Sequence, residues 1–140
     1  MITIYYSRAR ERELQQIDEP RAGSWIVASE LDSAQRDSFA KTYKLDRDML
    51  EDANDIYEAP RVEVEDGVTY IFTRYCHPEG KEIATEPLLL VYTTSYLITV
   101  SRIGTTLVDR LTADTFDTIT TQKTKTLLRI FKCIILNMVS

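Results

Sequence analysis

Ile2, Ile4 and Tyr6 alternate with Thr3 and Tyr5, the period of two expected of a strand with one buried face. Residues 7–21 are polar and read as a loop or a short helix. Trp25, Ile26, Val27 and Ala28 then form a continuous apolar run with aromatic and β-branched members, the pattern of a strand covered on both faces. From Asp32 the period lengthens. Asp32 as cap, Gln35 at the capping-box position, and Phe39, Ala40 and Tyr43 facing inward predict a helix over 33–43. A second short helix opens at Asp46, whose role as N-cap puts Leu45 and Leu50 at the two ends of a hydrophobic staple. Pro60 disfavours helix in the residue before it, so this segment ends by Ala59.

Arg61 to Glu65 and Val68 to Cys76 flank Asp66-Gly67, a two-residue hairpin signal because the turn needs positive φ. Pro78-Glu79-Gly80 reads as a second turn, Leu88 to Tyr92 as a buried strand, Thr94-Ser95 as a third turn and Tyr96 to Ser101 as the partner strand. Three successive turns predict an antiparallel meander. A helix is expected over about 105–112, with Leu107, Val108 and Leu111 inward. Another starts near Thr121, where Leu127, Ile130, Phe131, Ile134, Ile135 and Met138 share one face, and Lys123, Lys125, Arg129 and Lys132 lie mostly elsewhere. That pattern is still running at Ser140, so the chain reads as a fragment. Helices before and after the strands predict an α/β fold: a mixed, largely antiparallel sheet sandwiched between two helical layers.

At 140 residues the chain is sized for one domain that buries roughly two-thirds of its unfolded surface. An apolar share of 44% and a charged share of 28% are those of an ordinary globular protein, without repeats or low-complexity tracts. A net charge of -5 argues against a general nucleic-acid binder, whose affinity rests on Lys and Arg neutralising phosphates. The charge is uneven: residues 30–66 hold twelve acids against five bases, and 121–140 hold four bases and no acid. Taken alone, the acidic run is a solvated face of two short helices. No secretory leader is expected, because the first apolar residues run into charge at Arg8, Arg10, Glu11, Arg12 and Glu13. The longest apolar stretch, Leu127 to Val139, is broken by Arg129, Lys132 and Asn137 and falls short of the roughly 20 residues that span a bilayer.

Trp25-Ile26, Leu50-Glu51-Asp52, Pro60-Arg61-Val62-Glu63, Tyr70-Ile71-Phe72 and Thr99-Val100 follow one another in an order and spacing that resemble the amino-terminal cytoplasmic domain of CorA-type magnesium (Mg2+/Co2+) transporters. The resemblance implies residues 1–140 as a single cytoplasmic domain that stops before the stalk helix and transmembrane region. It implies a regulatory role, sensing intracellular divalent cations to gate a pore, in a homopentamer on the cytoplasmic side of the cell membrane. It further implies that Glu51 and Asp52 form a regulatory half-site for Mg2+, completed by a carboxylate of the neighbouring subunit. Adjacent helical residues point about 100° apart, which agrees with a second chain being needed to close such a site. Magnesium suits it, since the ion keeps several waters and accepts one or two carboxylates. Asp48, Asp55 and Glu58 would deepen the negative field without acting as ligands. The segment Asn54–Glu58 is longer and more acidic than the family's usual link to the proline. The Gly-Met-Asn pore motif is absent from these residues, so they cannot transport by themselves.

Catalysis finds little support. His77 follows Cys76 directly, but neighbours on a strand face opposite sides, and a turn at Pro78 leaves His77 a solvated loop residue. Cys76 and Cys133 sit in apolar patterns without metal-ligand spacing and read as buried, reduced thiols. Gly23, Gly67, Gly80 and Gly104 stand singly, so no phosphate-cradling loop and no organic cofactor is expected. Two other functions fit the same residues: a zinc transporter domain of the same superfamily, and a stand-alone interaction module docking through its final helix.

Overall fold

The computed structural model describes residues 1–8, 14–79, 82–104, 109 and 120–139, the side chains of 77–79, 82, 83 and 135–139 excepted. In chain order come β1 (Ile2–Tyr6), β2 (Gln15–Ile17), β3 (Trp25–Ser29), α1 (Ser33–Tyr43), α2 (Arg47–Ala53), β4 (Arg61–Glu65), β5 (Val68–Glu79), β6 (Glu82–Tyr92), β7 (Leu97–Ser101) and α3 (Lys123–Val139). One sheet holds all seven strands in the order β2-β1-β3-β7-β6-β5-β4. Every neighbouring pair is antiparallel except β3 and β7, whose parallel register sets Trp25 opposite Leu97 and Ala28 opposite Val100. The predicted meander is β4 to β7. The predicted helix over 105–112 lies outside the described residues, Asp109 aside.

Strand alternation divides the interior into two apolar layers. Ile26, Ala28, Tyr70, Phe72, Leu89, Val91, Ile98 and Val100 face α1 and α2, meeting Phe39, Ala40, Met49, Leu50 and Ala53. Trp25, Tyr75, Leu88, Leu90 and Leu97 face the other way, onto Ile130 and Ile134 of α3. Both helical layers predicted from the sequence are therefore present, one on each face of the sheet. The central strand β3 buries both sets of alternate residues, which is why it reads as a continuous apolar run.

Local signals account for the boundaries. Asp32 accepts the Gln35 N–H at 2.8 Å while Gln35 accepts the Asp32 N–H at 2.9 Å, closing the capping box of α1. At its other end Lys44 adopts φ 56° and donates its N–H to the Ala40 carbonyl. Asp66 and Gly67, at φ 50° and 76°, make the tight β4–β5 turn.

Four expectations need correction. Residues 15–17 form β2, a strand, where the sequence reads as loop or helix; Gln15 and Gln16 are exposed, so the short edge shows no alternation. The second hairpin turns later than Pro78-Glu79-Gly80, because β5 runs to Glu79, opposite Glu82. His77 and Pro78 are strand residues, not loop. Beyond Phe72, the partner of Arg61, β4 no longer flanks β5, so Pro78 falls where a missing N–H removes no ladder bond on that side. Cys76 and Cys133 are half-buried rather than buried.

Candidate functional site

The short helix α2 carries both carboxylates singled out in the sequence, and four contacts fix its position. Asp46 caps it, accepting the Asp48 N–H at 2.8 Å. The backbone N–H of Asp46 donates to the Tyr70 hydroxyl on β5 at 2.9 Å, tying the start of the helix to the sheet. Leu45 and Leu50, the two ends of the staple, are buried in the same apolar layer. Met49, Leu50 and Ala53 consume the inward face, so Glu51 and Asp52 must point outward.

The two neighbours diverge. Glu51 leans toward α1, where its Oε1 accepts from Arg36 Nε at 3.0 Å and lies 3.4 Å from an Arg47 Nη. Asp52 leans toward β4, where its Oδ2 accepts from an Arg61 Nη at 2.7 Å. Their side chains are 37% and 45% exposed, so both reach solvent. Each arginine has further acceptors. Arg36, only 12% exposed, also donates to the Leu31 carbonyl at 2.5 Å. Arg47 also pairs with Asp37 and donates to Ser33 Oγ. Arg61 also pairs with Glu58, lies 3.5 Å from Glu63, and stacks over the Phe72 ring at 4.0 Å.

The remaining acids near the site are occupied differently. Asp55 accepts the Tyr57 N–H at 2.9 Å, a local turn contact. Asp48 sits in the first turn of α2, where the helix dipole favours a negative charge. A second carboxyl pair joins the start of α2 to the end of β4. Asp46 is lowered from the ordinary carboxylate range, first by its contact with Glu65 and then by the backbone N–H of Asp48; Glu65 is raised, first by Asp46. Among the described residues no group of three or more His, Cys, Asp and Glu side chains is arranged to hold a metal. Glu51 and Asp52 are nevertheless hard, half-exposed oxygen donors, the chemistry magnesium takes, and among the described residues each pairs through one oxygen. The arrangement suits a contribution of one or two ligands, not a closed cage.

Arg36, Arg47 and Arg61 are the site residues that sequence reasoning passed over. Arg47 and Glu51 stand at the i, i+4 spacing of a helical ion pair, which is a readable signal. Arg61 belongs to a motif already noted but without an assigned partner. Arg36 gives no signal, since its pairing depends on how α1 packs beside α2.

The seven-stranded mixed sheet between helical layers is a fold shared with solved structures. The soluble domain of CorA from Methanocaldococcus jannaschii superposes with a TM-score of 0.76 at 18% identity, over 98% of this chain and 56% of that one. The complete CorA magnesium transporter from the same organism gives 0.66 at 18% identity, over 79% and 35%. The ZntB cytoplasmic domain from Vibrio parahaemolyticus gives 0.70 at 11% identity, over 96% and 57%. The chain thus spans little more than half of the soluble-domain structures and about a third of the complete transporter. No curated protein matches it in sequence. The chain belongs to the CorA-like Mg2+ transporter protein family, whose model matches residues 21–139.

Proposed function

We propose that this chain is the cytoplasmic regulatory domain of a CorA-like magnesium and cobalt transporter, a binding domain and not an enzyme. The observation that carries this reading is the family match over residues 21–139, supported by the fold. No helix among the described residues is long and apolar enough to cross a membrane. In this proposal the domain sits on the cytoplasmic side of the membrane within a homopentamer. Glu51 and Asp52 supply half of a Mg2+ site, and a carboxylate of a neighbouring copy supplies the rest. A regulatory ion shifts a gating equilibrium only if it binds one state better, and a site shared between subunits meets that condition because its halves separate when the ring loosens. Full-length protein in liposomes tests this: Glu51→Gln with Asp52→Asn should weaken inhibition by internal Mg2+, and unchanged sensitivity would refute the sensing role.

The likeness to the ZntB domain favours a second reading, a zinc transporter domain of the same superfamily. Flux of Mg2+, Co2+ and Zn2+ through the same liposomes separates the two.

A further inference from the structure

We infer that Arg36, Arg47 and Arg61 are built-in competitors of the divalent cation, so that the ion reaches Glu51 and Asp52 by displacing guanidinium groups. The inference rests on the reading of Glu51 and Asp52 as a regulatory half-site. Its basis is a pattern repeated three times: every guanidinium that holds one of these carboxylates also holds a second acceptor. Arg61 can leave Asp52 at 2.7 Å and keep Glu58, Glu63 and the Phe72 ring. Arg36 can leave Glu51 and keep the Leu31 carbonyl. Arg47 can leave Glu51 and keep Asp37.

Such an exchange avoids the main cost of breaking an ion pair, which is a charge left without a partner. Partly exposed pairs are also weak, so competition by Arg61 lowers cation affinity by only about two- to fivefold. That suits an ion that is abundant in cells and must be sensed by weak binding. The exchange has a structural consequence as well. The Asp52–Arg61 contact joins α2 to β4, and the Glu51–Arg36 contact joins α2 to α1. Occupancy of the carboxylates therefore breaks one polar tie from α2 to each neighbour, while Arg47–Asp37 and the apolar layer still hold the helix, turning binding into a change in how three elements are held.

The 140-residue chain, uniformly 15N-labelled, tests the exchange, with Mn2+ as a paramagnetic probe and Mg2+ as the diamagnetic titrant. Mn2+ should broaden the amides of Glu51 and Asp52. Mg2+ should shift the Nε–H resonances of Arg36 and Arg61 in step with binding, and Arg61→Gln should lower the titration midpoint two- to fivefold. Arg36→Gln provides a second variant should the first fail to fold, and Arg61→Lys, which keeps the charge, should change the midpoint least. Broadening with an unchanged midpoint in both Gln variants overturns the inference and leaves the half-site standing. A lower midpoint without movement of the wild-type arginine resonances also overturns it, since removing positive charge would then act through the field alone. No broadening at Glu51 and Asp52 in any variant overturns the half-site and the competition together.

Discussion

Replacing Tyr75 by Phe should stabilise the protein, and the gain should grow in alkali. Tyr75 is 4% exposed and packs with Leu88, Leu90, Ile130 and Ile134 between the sheet and α3. Its hydroxyl is buried without a hydrogen-bond partner among the described residues. A buried polar group left unsatisfied costs about 1–3 kcal/mol, so deleting the hydroxyl while keeping the ring should raise stability at pH 7 by about 1 kcal/mol. Ionisation adds a pH dependence. Burial first, and then the carboxylate of Glu86 directly across the β5–β6 ladder, push the phenol up to about 12, while Arg102 opposes. The folded state thus holds the proton more tightly than the unfolded chain, which begins to ionise near pH 10. This contribution is intact below pH 10 and is lost as pH rises from about 10 to about 12, amounting to roughly 2–3 kcal/mol over that interval. Tyr75→Phe removes it. Tyr5, Tyr43 and Tyr70 are also raised, each first by burial, and stay in the variant, so the informative quantity is the difference between the two proteins. Urea unfolding at pH 7, 10 and 11 measures that difference. A variant less stable by 1 kcal/mol at pH 7, or a difference that does not widen above pH 10, would refute the reasoning.

The same substitution at Tyr70 should have the opposite sign: its hydroxyl accepts the Asp46 N–H at 2.9 Å, so Tyr70→Phe should cost about 1–2 kcal/mol in urea unfolding and loosen the start of α2. Leu50→Ala empties a fully buried position beneath Glu51 and should cost about 2–5 kcal/mol, seen as a lowered thermal midpoint by circular dichroism. Arg102 holds the buried Glu86 carboxylate through two hydrogen bonds, at 3.1 and 2.5 Å, and is itself only partly buried. Arg102→Met should therefore cost about 3 kcal/mol, and adding Glu86→Gln should recover part of it in a double-mutant cycle.

What the sequence discloses follows from how far apart the determinants lie along the chain. The cap at Asp32, the staple from Leu45 to Leu50 and the Asp66-Gly67 turn each complete their chemistry within six residues, and α1, α2 and the β4–β5 hairpin stand where those signals put them. Nothing local encodes the parallel pairing of β3 with β7. Trp25 meets Leu97 across about half of the chain, and both strands are largely buried on each face, so no alternation reveals which neighbour they take. β2 escapes notice for the converse reason, being a three-residue edge with two exposed glutamines that is a strand only because β1 offers it partners.

The same division runs through the candidate site. Where Glu51 and Asp52 stand, and that they point outward, is settled by signals legible in one stretch of sequence: a cap, a staple and the inward face of a seven-residue helix. Their electrostatic state is not, because it depends on arginines from α1, α2 and β4 converging on two carboxylates from different sides. A run of acids therefore reads as an open negative field in the sequence, but in the fold Glu51 and Asp52 are held in ion pairs. The net charge of the segment measures how strongly a cation is attracted to it. The arrangement of the guanidinium groups decides how much of that attraction is already spent.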